Sequence, residues 1–380
     1  EFQFYTTQIQ QLKEEVKRML IVSTKDVAKN IGFIDLLCRL GVTYHFETEI
    51  EIQLKNISCA LPRQSDNDDL YTASTLFRVL RQHGHQVPRF FGMLSLCSNS
   101  SMPFHKGLPR IEARQYISFY EEEESVNGTL LEFAKLDFNR VKLLHKQELS
   151  ILSRWWRDTN FMEQLPYVRD RIVEAYFWAN AFLSEPQYEF SRIMLAKYIA
   201  MISVVDDTYD AYAKFEELIH FTQAMESSHK YFQRNNLRDD WKRKTLSADF
   251  VKEEFKILVR SYHTEAEWSN SRHVPPFEEY MRNRKSSNGT TLILALAFTG
   301  MEEVAGIKEY EWPRSNPRII EAANLVICVM NDISGHQDEQ KRGDCASSVE
   351  CYMKEHQVSK EQAVEVIKKM GANAAKDINN

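Results

Sequence analysis

Ile199-Ala200-Met201-Ile202-Ser203-Val204-Val205-Asp206-Asp207-Thr208-Tyr209-Asp210 decides how this chain is read. An apolar run long enough for a buried helix ends abruptly in three carboxylates, and Asp206 and Asp210 stand four residues apart. On a helix that spacing points both the same way, where like charges repel. A cation held between them removes the conflict. An oxygen-only pair suits Mg²⁺, which takes one or two carboxylates and fills its remaining positions with water and substrate phosphates. A solvated helix end is the plain alternative.

A second stretch repeats the pattern. After the apolar Leu325-Val326-Ile327-Cys328-Val329-Met330 comes Asn331-Asp332-Ile333-Ser334-Gly335-His336-Gln337-Asp338-Glu339. Asn331, Gly335 and Glu339 are spaced i, i+4, i+8 and share one helix face. Two such helices facing each other would gather hard oxygen donors at the mouth of an apolar pocket. That arrangement suits a diphosphate bound through several Mg²⁺ ions, whose charge stabilises a departing anion.

The resemblance these residues carry is specific. Asp206-Asp207-Thr208-Tyr209-Asp210 is similar to the DDxxD motif of class I terpene synthases, and residues 331–339 resemble their second metal motif, (N/D)Dxx(S/T/G)xxxE. Arg169-Asp170-Arg171 matches the paired-arginine segment, and Tyr176-Phe177-Trp178 follows it as in plant sesquiterpene synthases. Asp69-Leu70-Tyr71-Thr72, Leu136-Asp137-Phe138-Asn139, Ser153-Arg154-Trp155-Trp156 and Val349-Glu350-Cys351-Tyr352-Met353 extend the likeness through most of the chain. The implied fold is all-α, a class I terpenoid synthase helical bundle (109–380) preceded by a shortened, inactive α-helical N-terminal domain (1–108).

Composition agrees with a helical reading. At 380 residues the chain exceeds what one core usually organises. It is 43% apolar, which argues against disorder, and its 12 glycines and 10 prolines are too few for a turn-rich β architecture. A net charge of −6 argues against nucleic acid. The six cysteines form no Cys-x-x-Cys pair, so neither a zinc site nor a disulfide framework is indicated. No apolar run reaches membrane-spanning length. The chain starts at Glu1 without methionine or a secretory pattern, so a missing native start is expected, with a cytoplasmic monomer as the default.

Helical periodicity is expected over residues 1–20, Phe33 to Leu40, Tyr44 to Leu54, Leu70 to His83, Leu130 to Trp156, Tyr167 to Leu183, Gln187 to Val205, Phe215 to Phe232 and Phe277 to Arg284. Gly41, Pro62 and Gly84 serve as breakers, and the polar Ser286–Thr291 interrupts before Leu292 to Phe298. The run of glutamates at 121–124 has no apolar stripe and reads as a solvated helix end. Asp66-Asn67-Asp68-Asp69 looks only superficially like a class II acid motif. The stretches at 95–107 and 232–247 depart from the family, which carries further helices there. The C-terminal helices that cap the site in relatives are also expected to be missing.

The resemblance implies metal binding by Asp206, Asp207, Asp210, Asn331, Gly335 and Glu339, with water standing in for the side chain that Gly335 lacks. It implies diphosphate binding by Arg169 and Arg342 together with Asp206, Asp210 and Asn331. Catalysis would rest on Asp206, Asp210, Arg169, Arg171 and Trp178, whose ring attracts a cation without attacking it. Arg169 and Arg171 are expected on the helix that precedes the acidic one, with Trp178 two turns further along. Cys328 occupies a position where the family usually carries a diphosphate-binding arginine. The implied reaction is Mg²⁺-dependent (or Mn²⁺-dependent) ionisation and cyclisation of farnesyl diphosphate to a sesquiterpene. The competing readings are a monoterpene synthase using geranyl diphosphate, a prenyl elongase, which normally carries two DDxxD motifs, and a catalytically impaired helical relative.

Overall fold

The computed structural model describes residues 2–60, 70–85, 107–227, 245–301, 305–342 and 346–378, with the backbone alone at 2–5, 60, 70, 211, 245–247 and 337–342. The motif at 66–69, Pro62, most of the 95–107 segment and most of the 232–247 segment lie outside the described residues. Every regular element among the described residues is helical. None of these helices is long and apolar enough to cross a membrane. The chain forms two compact units.

The first unit comprises residues up to Ser150 together with Ser184–Gln187. It contains α1 (Phe2–Ser23), α2 (Val27–Leu40), α3 (Glu47–Ala60), α4 (Leu70–Gln82), α5 (Pro109–Glu121) and the first part of α6 (Gly128–Asp158). The carboxylate of Asp26 caps α2 by accepting from the Ala28 and Lys29 amides, and Gly41 ends it at φ 72°. Val16, Leu20, Ile34, Leu37, Phe46 and Phe133 are completely or almost completely buried in one core. Inside it lies a polar knot, in which Asp137 accepts from Tyr44 at 2.6 Å and from Arg140 at 3.0 Å, with His45 also 3.0 Å away. By packing, α5 and α6 as far as Ser150 belong to this unit, whereas the sequence division falls at residue 108.

The second unit comprises Ile151–Leu183 and Tyr188–Asn380. Its helices are the end of α6, α7 (Ile172–Phe182), α8 (Glu189–Asp207), α9 (Phe215–Ser227), α10 (Thr245–Ser271), α11 (Phe277–Ser287), α12 (Thr290–Phe298), α13 (Ile307–Arg314), α14 (Arg318–Arg342), α15 (Ser348–His356) and α16 (Lys360–Ile378). The expected break between α11 and α12 is present at Asn288-Gly289, where Gly289 adopts φ 69°. The Asn288 carboxamide restarts the chain by accepting from the Thr290 amide at 3.0 Å and reaches Asn324 on α14 at 3.1 Å. The glutamates at 121–124 lie where α5 ends and are largely exposed, as read from the sequence.

Two expectations are corrected. α7 begins at Ile172 rather than Tyr167, so Arg169 lies in the preceding loop and Arg171 at the N-cap. The loop is held off the helix because the Tyr167 ring stacks on Tyr212 at 4.6 Å and its hydroxyl meets Thr208 at 2.9 Å. The acidic helix also does not stay α-helical through Asp210. α8 stops at Asp207, and Thr208–Tyr212 forms a π-helical turn closed by the Ala213 amide on the Thr208 carbonyl at 3.1 Å. The Thr208 hydroxyl bonds back to the Val204 carbonyl at 2.7 Å where the winding changes.

Candidate active site

The apolar face of α8 is buried through Ala200, Val204 and Val205, which fixes the depth at which its acidic end emerges. Asp206 is half-buried and hydrogen-bonded to Tyr262 of α10. Burial pushes its carboxyl above the ordinary value, opposed by the Tyr262 hydrogen bond and the charge of Arg284. Asp207 is buried and grips both Nε and Nη2 of Arg169, a bidentate pair that brings the loop arginine onto the acidic helix. Asp210 is exposed on the π turn.

On α14 the inward-facing acid is Asp332, which the sequence reading did not select. It is 1% exposed, accepting from the Tyr280 hydroxyl at 3.1 Å, Arg284 Nε at 3.3 Å and the Ser348 amide at 3.2 Å. Asn331 is exposed and Gly335 half-buried, so the stripe drawn through Asn331, Gly335 and Glu339 faces away from Asp332 at its first position. The side chains of Glu339 and Arg342 lie outside those described. His336, one turn beyond Asp332, pairs with Glu350 at 2.9 Å and ties α14 to the capped start of α15.

The two acidic helices meet at a cavity of about 240 Å³. Asp210 from the first motif and Asp332 from the second both line it, together with Glu265, Tyr280, Arg284 and Ser347. Glu265 is buried, which raises its carboxyl, and the Arg284 charge and a Ser287 hydrogen bond pull it back. Trp178, expected as a wall of the pocket, is instead 56% exposed, and Arg171 is also exposed. Tyr262, Glu265 and Arg284 are further residues of the site that the sequence reading passed over.

No three acidic, imidazole or thiol side chains among the described residues form a ready-made metal cage. Asp206 and Asp210 offer a carboxylate pair instead, with Asp210 lining the cavity and Asp206 half-buried four residues before it. That donor set fits a hard divalent cation that takes few protein ligands.

A helical chain with two acidic helices converging on one cavity has the fold of the class I terpenoid synthases, and known structures share it. The isoprene synthase of grey poplar leaves, solved with three Mg²⁺ ions and dimethylallyl-S-thiolodiphosphate, has the same fold at TM-score 0.82 and 24% identity, covering 99% of this chain and 87% of that one. Residues 1–121 match the terpene synthase N-terminal domain, and residues 197–377 match the C-terminal metal-binding domain of terpene synthase family 2. Probable terpene synthase 6 of Ricinus communis is 43% identical over all of this chain and 85% of its own length. The (+)-delta-cadinene synthase isozyme XC14 of Gossypium arboreum is 36% identical over 97% of this chain and 81% of its own length. The chain belongs to the plant terpene synthase family and is a lyase of that family. Its alignment with the Ricinus protein spans 470 positions against 380 residues here, so that relative carries internal segments this chain lacks.

Proposed function

We propose that this chain ionises farnesyl diphosphate with Mg²⁺ and cyclises the resulting cation to a sesquiterpene, releasing diphosphate. The observation that carries the reading is that Asp210 and Asp332, one from each acidic segment, line a single cavity with Arg284. Sesquiterpene synthases among the relatives favour farnesyl over geranyl diphosphate. Asp206, Asp210, Asn331 and Glu339 would hold the Mg²⁺, with water at Gly335 and with Mn²⁺ as a substitute. When bound, the metal neutralises charge on the departing diphosphate, and no protein nucleophile is needed.

The chain's own residues divide the remaining work. Asp207 holds Arg169 in place, and Arg169, Arg171 and Arg342 grip the diphosphate away from the carbocation. Trp178 presents an aromatic face to that cation. Residues 1–108 are a shortened, catalytically silent domain and residues 109–380 carry the chemistry, in a cytoplasmic monomer. The 56% exposure of Trp178 favours one competing outcome, in which water intercepts the cation.

Incubation of the purified chain with farnesyl or geranyl diphosphate and Mg²⁺, followed by analysis of volatile and alcohol products, tests this. A sesquiterpene hydrocarbon from farnesyl diphosphate is expected. Farnesol as main product would show ionisation without cyclisation, turnover of geranyl diphosphate alone would indicate a monoterpene synthase, and elongated diphosphates would indicate a transferase. No turnover by folded protein would overturn the reading.

A further inference from the structure

We propose that Arg284 is a further diphosphate-contacting cation of this chain, presented from α11 into the cavity between the two acidic helices. The inference rests on the prenyl diphosphate reading given above. Among the described residues that line the cavity, Arg284 is the one base, facing the carboxyls of Asp210, Glu265 and Asp332. Such a cavity repels a diphosphate unless cations intervene, and Arg284 is a cation the protein supplies itself.

Its hydrogen bonding leaves capacity for a ligand. Of five N–H donors, Nε reaches Asp332 at 3.3 Å and Nη1 reaches Ser287 at 3.3 Å, both long for charge-assisted bonds. Nη2 has no hydrogen-bond partner among the described residues. A planar fork with unspent donors at the wall of a cavity is suited to bidentate capture of phosphate oxygens. The charge of Arg284 is also felt by Asp206 on α8, Glu265 on α10 and Cys328 on α14, so it bears on both acidic segments at once.

Cys328 on α14 lies within reach of the Arg284 charge and carries none of its own. It is 1% exposed, its thiol is pushed up to about 11 mainly by burial, and it accepts from Asn288 Nδ2 at 3.6 Å. The thiol is therefore neutral, and Arg284 supplies the positive charge that α14 does not carry at this point.

Inorganic pyrophosphate binding in the presence of Mg²⁺, measured by calorimetry on the full chain, tests the assignment alongside a thermal melt of each variant. Arg284→Gln is expected to weaken pyrophosphate binding about tenfold or more, and Arg284→Lys by less. A purely structural ion pair would lower the melting temperature and leave affinity unchanged. If Arg284→Gln does not fold, Arg284→Lys decides, and wild-type affinity in the folded variant would overturn the proposal. A wild-type chain that binds no pyrophosphate with Mg²⁺ would overturn the diphosphate reading itself, and this assignment with it.

Discussion

Asp206 and Asp332 both sit among core side chains, yet they are built for opposite tasks. The oxygens of Asp332 are occupied by Tyr280, Arg284 and the Ser348 amide, so it is a strut. Replacing it with alanine leaves the buried Tyr280 hydroxyl and Ser348 amide without an acceptor, with Glu265 still beside Arg284, and is expected to cost about 2–4 kcal/mol in urea unfolding. Burial raises the Asp206 carboxyl, a cost that the cation proposed above would relieve. Asp206→Ala is expected to abolish turnover with a small change in melting temperature, because the removed desolvation cost offsets the loss of the Tyr262 hydrogen bond. A matching fall in both would place Asp206 among the struts. Both acidic segments were legible as helix ends from their apolar runs. Asp332 is hidden from the sequence because the oxygen donors from Asn331 onward suggest one helix face and the apolar residues another. Cys328, Asp332 and His336 recur every four residues and are all buried, which marks the inward face. Arg284 was legible by the same logic, since it stands at i+7 and i+4 from Phe277 and Tyr280 on a stripe that is otherwise apolar or aromatic.

Among the elements, most helices fell within a few residues of their sequence reading because apolar periodicity dictates them. Where the reading failed, a tertiary contact overrode it, as when Tyr167 stacks on Tyr212 and delays α7 to Ile172. Gly41 shows a local rule confirmed. Its φ of 72° disfavours any side chain, and an added Cβ would lie 2.8 Å from the Ala113 Cβ. Gly41→Ala is therefore expected to destabilise the first unit by about 2 kcal/mol or more, combining left-handed strain with the clash. A thermal melt checks this, and a shift of less than about 2 °C would show that α5 moves aside freely.

Across the molecule, two separate cores imply that one unit can be perturbed and the other assayed. Burial alone would raise the Asp137 carboxyl, but the hydrogen bond and charge of His45, with the Tyr44 hydrogen bond and the Arg140 charge, hold it below its ordinary 3.8. The stability it contributes is thus present above pH 3.8 and lost as pH falls through the lower native value. Asp137→Asn is expected to weaken the first unit by about 3 kcal/mol at neutral pH and to flatten its acid dependence, while Mg²⁺-dependent pyrophosphate binding persists. Circular dichroism melts at several pH values, paired with calorimetry, separate the two effects. The thiols report on the same cores. Cys38 and Cys351 are pushed up to about 12 by burial and are expected to resist alkylation in the folded chain, whereas exposed Cys59 reacts. The packing division inside α6 is not legible in the sequence, because an unbroken helix carries no compositional seam.

The wide turn at Thr208–Tyr212 has a consequence for evolution and engineering alike. Removing Thr208 or Tyr209 would bring the two carboxylates from four residues apart to three and turn Asp210 about the helix axis relative to Asp206. Substitutions in this hairspring keep the spacing of the two carboxylates, whereas a gained or lost residue resets the angle between them and with it the span open to a cation.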